Sequence, residues 1–75
     1  MTFKEWVISK FGDRGVAQAA AFLGYPYKTV IAWVNLKRFP RPASQEIIKL
    51  KSDGKIDMEL WRTAYLAAEM ERKKS

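Results

Sequence analysis

Apolar residues recur at steps of three and four through most of the chain, which is the spacing of one face of an α-helix. The first such stretch opens with a capping-box pattern, in which Thr2 and Glu5 each accept a hydrogen bond from the other's backbone N–H. A first helix is predicted from there to about Phe11, and Gly12 suits the left-handed residue that ends a helix. Asp13 is then expected to cap a second helix.

Two further helices are predicted in the middle of the chain. Residues 14–23 are rich in alanine, which favours helix and permits close approach of another backbone, and Gly24 ends this segment. Pro26 is tolerated in the first turn of a third helix, because its missing N–H would have no partner there. This helix is expected to end before residues 39–42, where two prolines hold the chain extended.

The last third predicts two more helices. Ser44 is expected to cap a short fourth helix that ends near Lys51, and Asp57 a fifth helix over about residues 57–73. The inward residues of the fourth helix are expected to be Ile47, Ile48 and one of Leu50 and Lys51.

Residues 46–60 also fit a second pattern, because apolar and charged residues alternate on both sides of Asp53 and Gly54, as in a β-hairpin. Helices are favoured because residues 61–74 are helical by pattern and extend the fifth helix. The sequence therefore predicts one all-α domain of five helices over residues 1–75. The alternative is an α+β domain with a C-terminal hairpin.

Composition narrows the possible functions. The 75 residues are 48% hydrophobic, enough for one compact core, and include neither cysteine nor histidine. Disulfides, thiolate nucleophiles, the usual zinc sites and the commonest general base are thereby removed. We expect no enzyme, and no cofactor, metal or small-molecule ligand. The N-terminal residues carry charges within their apolar pattern and no long apolar run follows, so we expect a cytoplasmic protein without a membrane span.

The net charge of +6 is concentrated in the middle of the chain. Residues 25–51 hold six basic residues and one acidic residue, whereas the two flanking segments are nearly balanced. A nucleic-acid backbone attracts such a segment, because lysine and arginine displace its condensed counterions. A solvated basic face is the other interpretation.

The spacing within residues 16–35 is typical of a helix-turn-helix. A small residue, Ala20, stands where the two helices would cross, and Gly24 stands at the left-handed turn between them. The apolar positions that fix the angle between the helices are Ala19, Leu23, Val30 and Trp33. An ordinary helical hairpin is the alternative.

These residues, with the basic and proline-containing segment 37–42 and the segment 46–56 after them, resemble the Cro and cI type regulators of temperate phages and the related Cro/YdaS-like bacterial proteins. The resemblance covers roughly residues 3–61. It implies a lambda-repressor-like domain, a repressor of phage or prophage origin, and a homodimer on a pseudo-palindromic DNA operator. Two features depart from the family pattern: Pro26 replaces a polar residue at the start of the third helix, and Ile31 and Ala32 replace polar base-reading residues.

Carried over from the family, the residues that face the major groove are Tyr27, Lys28, Ile31, Ala32 and Asn35. Packing of Tyr27 against the first helix and partial burial of Ile31 are the alternatives. Because this face is largely apolar, we expect contacts with thymine methyl groups and a T-rich half-site.

Two more groups of site residues follow from the pattern. Those expected at the DNA backbone are Arg14, Gln18, Thr29, Lys37, Arg38 and Arg41. The fifth helix has more apolar surface than one side of a small core needs, which favours a dimer interface, with burial in a monomer as the alternative. The interface residues are expected to be Met58, Trp61, Tyr65 and Leu66.

Two other functions remain open from the sequence. The segment 33–42 is similar to part of the small winged-helix excisionases, which would make the chain an architectural DNA-binding protein. An antitoxin-type protein that binds a partner through the fifth helix is the other alternative.

Overall fold

The computed structural model describes residues 1–74, and all regular structure within them is helical. The helices are α1 (Phe3–Phe11), α2 (Val16–Leu23), α3 (Tyr27–Val34), α4 (Pro42–Lys51) and α5 (Met58–Lys74). The prediction of an all-α chain with five helices is confirmed. No strand occurs in the described part of the chain, so the alternative hairpin over residues 46–60 is wrong. A strand would place Ile48 and Leu50 on one face, whereas α4 buries Ile48 fully and leaves Leu50 77% exposed.

Side-chain caps begin the first and last helices as the sequence predicts. The backbone N–H of Glu5 donates to Thr2 Oγ1 at 3.3 Å, and the backbone N–H of Thr2 donates to Glu5 Oε1 at 2.8 Å. The backbone hydrogen bond from Thr2 is the main reason why the pKa of Glu5 is lowered. At α5, the N–H of Leu60 donates to Asp57 Oδ1 at 3.0 Å. Each carboxylate thus binds an N–H that has no partner within its helix.

Two predicted caps are wrong. Gly15, and not Asp13, precedes α2, and no side chain caps this helix. Gly15 is buried, and a Cβ there would overlap the Cβ of Phe11 and lie 2.7 Å from the Phe11 carbonyl. Ser44 lies inside α4, which begins at Pro42 and is preceded by Arg41. Ile47 and Leu50 were also expected to face inward, but both are exposed.

Helices α2 and α3 are joined by a turn of three residues. Gly24 adopts the left-handed conformation, with φ 81° and ψ 28°, and its N–H donates to the carbonyl of Ala20 at 2.9 Å. The residues predicted to face inward from this pair are all buried: Ala19, Ala20, Leu23, Val30 and Trp33. Pro26 has an extended backbone conformation immediately before α3, where a missing N–H costs nothing.

The core is built around a cluster of aromatic side chains from α1, α3 and α5. Phe3 stacks on Trp61, with ring centroids 4.6 Å apart and planes inclined by 9°, and Trp33 meets Phe3 edge-on at 5.9 Å. Trp61 is only 1% exposed. It is therefore a core residue that holds α5 against the body, and not the interface residue expected from the sequence.

No helix within residues 1–74 has the length and apolar character needed to cross a lipid bilayer.

Candidate nucleic-acid interface

Helix α3 turns one side toward the core and presents the other to solvent. Val30 and Trp33 are buried on the inner side. The outer side carries all five residues predicted to face DNA: Tyr27, which is 53% exposed, exposed Lys28 and Asn35, and half-buried Ile31 and Ala32. Because these positions recur at steps of three and four, they form one continuous stripe along the helix.

Residues 35–41, named here the basic loop, join α3 to α4. Leu36 has a φ of 58°, its N–H donates to Trp33 at 3.2 Å, and the N–H of Lys37 donates to Ala32 at 2.9 Å. These two bonds satisfy the carbonyls of Trp33 and Ala32 in the last turn of α3 and end the helix. The basic side chains of the loop, Lys37, Arg38 and Arg41, are exposed, while Pro40 is buried.

A shallow depression of about 460 Å³ lies between the first turn of α3 and the basic loop. Lys28, Arg38 and Arg41 border it with their cationic side chains. The hydroxyls of Thr29, Tyr25 and Ser44 also line it, and Tyr25 donates to Ser44 Oγ at 3.0 Å. Cations and hydroxyl donors in this arrangement suit an anionic oxygen group such as a phosphate.

No ion pair within residues 1–74 neutralises the charge of this surface. No acidic residue stands between Asp13 and Glu46 in the sequence. The ion pairs found within residues 1–74 join Lys49 to Glu46, Arg62 to Glu59 and Arg72 to Glu69. The cations of α3 and the basic loop take part in none of them, so their field extends into solvent.

The structure does not bring every predicted backbone residue to this depression. Arg14 lies in the turn before α2 and Gln18 in the first turn of α2, both exposed and neither lining the depression. Tyr25 and Ser44 do line it, although the sequence analysis did not select them. Their pairing across 19 positions leaves no periodic signal in the sequence.

The outward face of α5 differs from the one expected. Met58 packs against the core, and Tyr65 packs on Phe39 at 5.6 Å. Of the four predicted interface residues, only Leu66 is largely exposed, at 51%. Met70, one helical turn further on, is 65% exposed and was not among the four residues predicted for the interface.

A scan against models of protein families gives no match for this sequence, and comparisons with curated proteins and with solved structures give no significant match. The resemblance to Cro-type regulators therefore depends on the motif in the sequence alone.

Proposed function

We propose that the protein is a sequence-specific regulator of transcription that binds double-stranded DNA with α3 in the major groove. The observation that carries this proposal is the continuity between the exposed stripe of α3 and the depression bordered by Lys28, Arg38 and Arg41. A helix is about 10–12 Å across and the major groove about 12 Å wide, so the stripe meets base edges while the loop meets the backbone.

In this proposal, α2 and α3 form a helix-turn-helix over residues 16–35 within a lambda-repressor-like domain. The left-handed turn at Gly24 and the burial of Ala20 support the arrangement, because the motif needs a tight turn and a small residue at the helix crossing. A Cro-like repressor of phage or prophage origin is the type of regulator to which the sequence motif points.

The exposed stripe of α3 offers both polar and apolar side chains to the bases. Lys28 donates to guanine O6 and N7 or to a phosphate, and Asn35 to adenine or the backbone. Ile31 and Ala32 offer only methyl groups, which contact thymine methyl groups. We therefore propose a T-rich half-site with few direct hydrogen bonds, supported by the phosphate contacts of the depression.

The DNA-binding proposal is tested by selecting bound duplexes from a random pool and then titrating the consensus at several salt concentrations. Arg38→Ala and Arg41→Ala should each reduce the slope of log affinity against log salt concentration by about one. Lys4→Ala, which removes an exposed cation from α1, is the matched control and should leave the slope unchanged. Absence of salt-dependent DNA binding would refute the proposal.

The selection also separates the alternative functions. A two-fold symmetric consensus supports the repressor. Strong bending with weak base preference would point instead to an excisionase-type architectural protein. Co-purification of a protein partner without any affinity for DNA would point to an antitoxin-type module.

We further propose that the regulator is a homodimer joined through the outward face of α5. Leu66 and Met70 lie one turn apart on this face, opposite buried Trp61. An antiparallel pair of α5 helices would bring Glu59 of the first turn near Lys73 of the second copy, whereas parallel helices would bring like charges together. The second copy of this chain is thus the partner that fits the charges of the helix.

Sedimentation equilibrium tests the dimer. Leu66→Gln should weaken self-association by about tenfold or more, because it places a polar group in an apolar contact. Leu50→Gln, at an exposed leucine of α4, is the control and should sediment like the wild type. A monomer at all concentrations, with and without DNA, would refute the dimer.

A further inference from the structure

The basic loop is held by hydrogen bonds to two of its backbone carbonyls, one near each end. Arg72 of α5 donates from Nη1 to the carbonyl oxygen of Leu36 at 2.9 Å. Gln45 of α4 donates from Nε2 to the carbonyl oxygen of Pro40 at 2.8 Å. These bonds fix the loop through its backbone, so the cationic side chains of the loop remain available for a ligand.

The bond to Pro40 is itself set by α5. Arg62 donates from Nη2 to Gln45 Oε1 at 3.2 Å, which leaves the amide NH₂ of Gln45 directed at the loop carbonyl. The guanidinium of Arg62 also lies over the ring of Phe39, 5.5 Å from its centroid. The same ring meets Trp61 at 4.9 Å. Phe39 is therefore the apolar anchor at the centre of the loop, enclosed by side chains of α5.

The bond to Leu36 is also part of a chain of contacts. Tyr65 donates its hydroxyl proton to Glu69 Oε1 at 3.2 Å, and Arg72 donates to the same oxygen at 3.1 Å. Both bonds lower the pKa of Glu69, and the bond from Arg72 has the larger effect. The carboxylate of Glu69 is thereby kept charged. The carboxylate in turn restricts the guanidinium that reaches the loop.

We infer that α5 is the positioning element of the basic loop: Arg72 holds the carbonyl of Leu36 directly, and Arg62 holds that of Pro40 through Gln45, so that Arg38 and Arg41 stay at the depression. This inference rests on the proposed function. Without these anchors, the loop would leave this position, so phosphate contacts of Arg38 and Arg41 would be lost, and any that remained would require the loop to be ordered when DNA binds. Arg62 and Arg72 thus act on the DNA backbone through the loop, as positioning residues.

The decisive comparison is Arg72→Ala against Lys74→Ala. Both remove one positive charge from the last turns of α5, but only Arg72 bonds the loop. We expect Arg72→Ala to lower affinity for a fixed duplex roughly tenfold more than Lys74→Ala does, and to lower the salt slope by between about one and two. Equal affinity and slope for the two variants would overturn the inference.

Gln45→Ala provides a second variant that leaves the net charge unchanged. It removes the bond to Pro40 without removing a cation, so any fall in salt slope reports misplaced loop arginines. We expect a fall of about one, with a far-UV circular dichroism spectrum like that of the wild type. An unchanged slope would count against the inference.

A double-mutant cycle separates positioning from a general structural role. In a background with Arg38→Ala and Arg41→Ala, Arg72 has no loop arginines to position, and Arg72→Ala should then cost no more affinity than Lys74→Ala. The same loss in both backgrounds would overturn the inference. If the wild type itself binds no DNA, the proposed function fails. If it binds DNA but Arg72→Ala costs the same affinity with and without the loop arginines, only the positioning role is refuted.

Discussion

Trp61 provides the sharpest test of how this small core is held together. The ring is 1% exposed, stacks on Phe3 at 4.6 Å and meets Phe39 at 4.9 Å. Truncation of such a residue to alanine costs about 3–5 kcal/mol. A 75-residue domain has a free energy of unfolding of about 4–11 kcal/mol. Trp61→Ala should therefore remove a large part of the stability.

Trp61→Phe should behave differently. Within residues 1–74, the buried indole Nε1 has no hydrogen-bond acceptor, so the wild type already carries the cost of an unsatisfied donor, about 1–3 kcal/mol. Phenylalanine keeps one ring against Phe3, leaves a small cavity and removes that donor. The two effects oppose each other, and we expect a change within about 1.5 kcal/mol.

Urea unfolding followed by far-UV circular dichroism measures both variants. The expected order of stability is wild type and Trp61→Phe close together, with Trp61→Ala far below. The differences between the three proteins should not depend on protein concentration if Trp61 acts in the core, since such a dependence arises only when a substitution alters association. A loss below about 1 kcal/mol for Trp61→Ala, or equal losses for the two variants, would refute this reasoning.

Three other changes test local structure. Gly15→Ala should destabilise by about 2–3 kcal/mol in the same assay, because the new Cβ overlaps Phe11; a loss below about 0.5 kcal/mol would contradict that geometry. Asp57→Ala removes the cap of α5 and should cost about 1 kcal/mol, seen as a fall of roughly 4–8 °C in Tm. The advantage of the wild type over Glu5→Gln should be present above pH 4.5 and should disappear as the pH falls through the lowered pKa of Glu5. A pH-independent difference between those two proteins would contradict the capping role.

The helices themselves could be predicted because their signals are local. The box of Thr2 and Glu5, the cap at Asp57 and the left-handed Gly24 each depend on residues a few positions apart, and all three are observed. The start of α2 was missed because the steric requirement at Gly15 comes from Phe11, and a sequence pattern cannot show a close approach of two backbones.

The candidate site was predicted only in part, for the same reason. The stripe of α3 follows from helical periodicity, and its exposure is observed. One anchor of the basic loop connects Arg72 to Leu36, which are 36 positions apart, and no periodicity reports such a contact. Trp61 and Leu66 are both apolar residues of α5, and only the packed structure separates the buried one from the exposed one.

The position of Lys28 limits how the proposed DNA specificity could be altered. Its side chain belongs to the outer stripe of α3 and also borders the depression where Arg38 and Arg41 converge. A substitution there would change base preference and backbone affinity together, so the two effects could not be separated in a selection. Ile31 and Asn35 do not line the depression. Redesign of the operator preference should therefore vary those two positions and leave Lys28 in place.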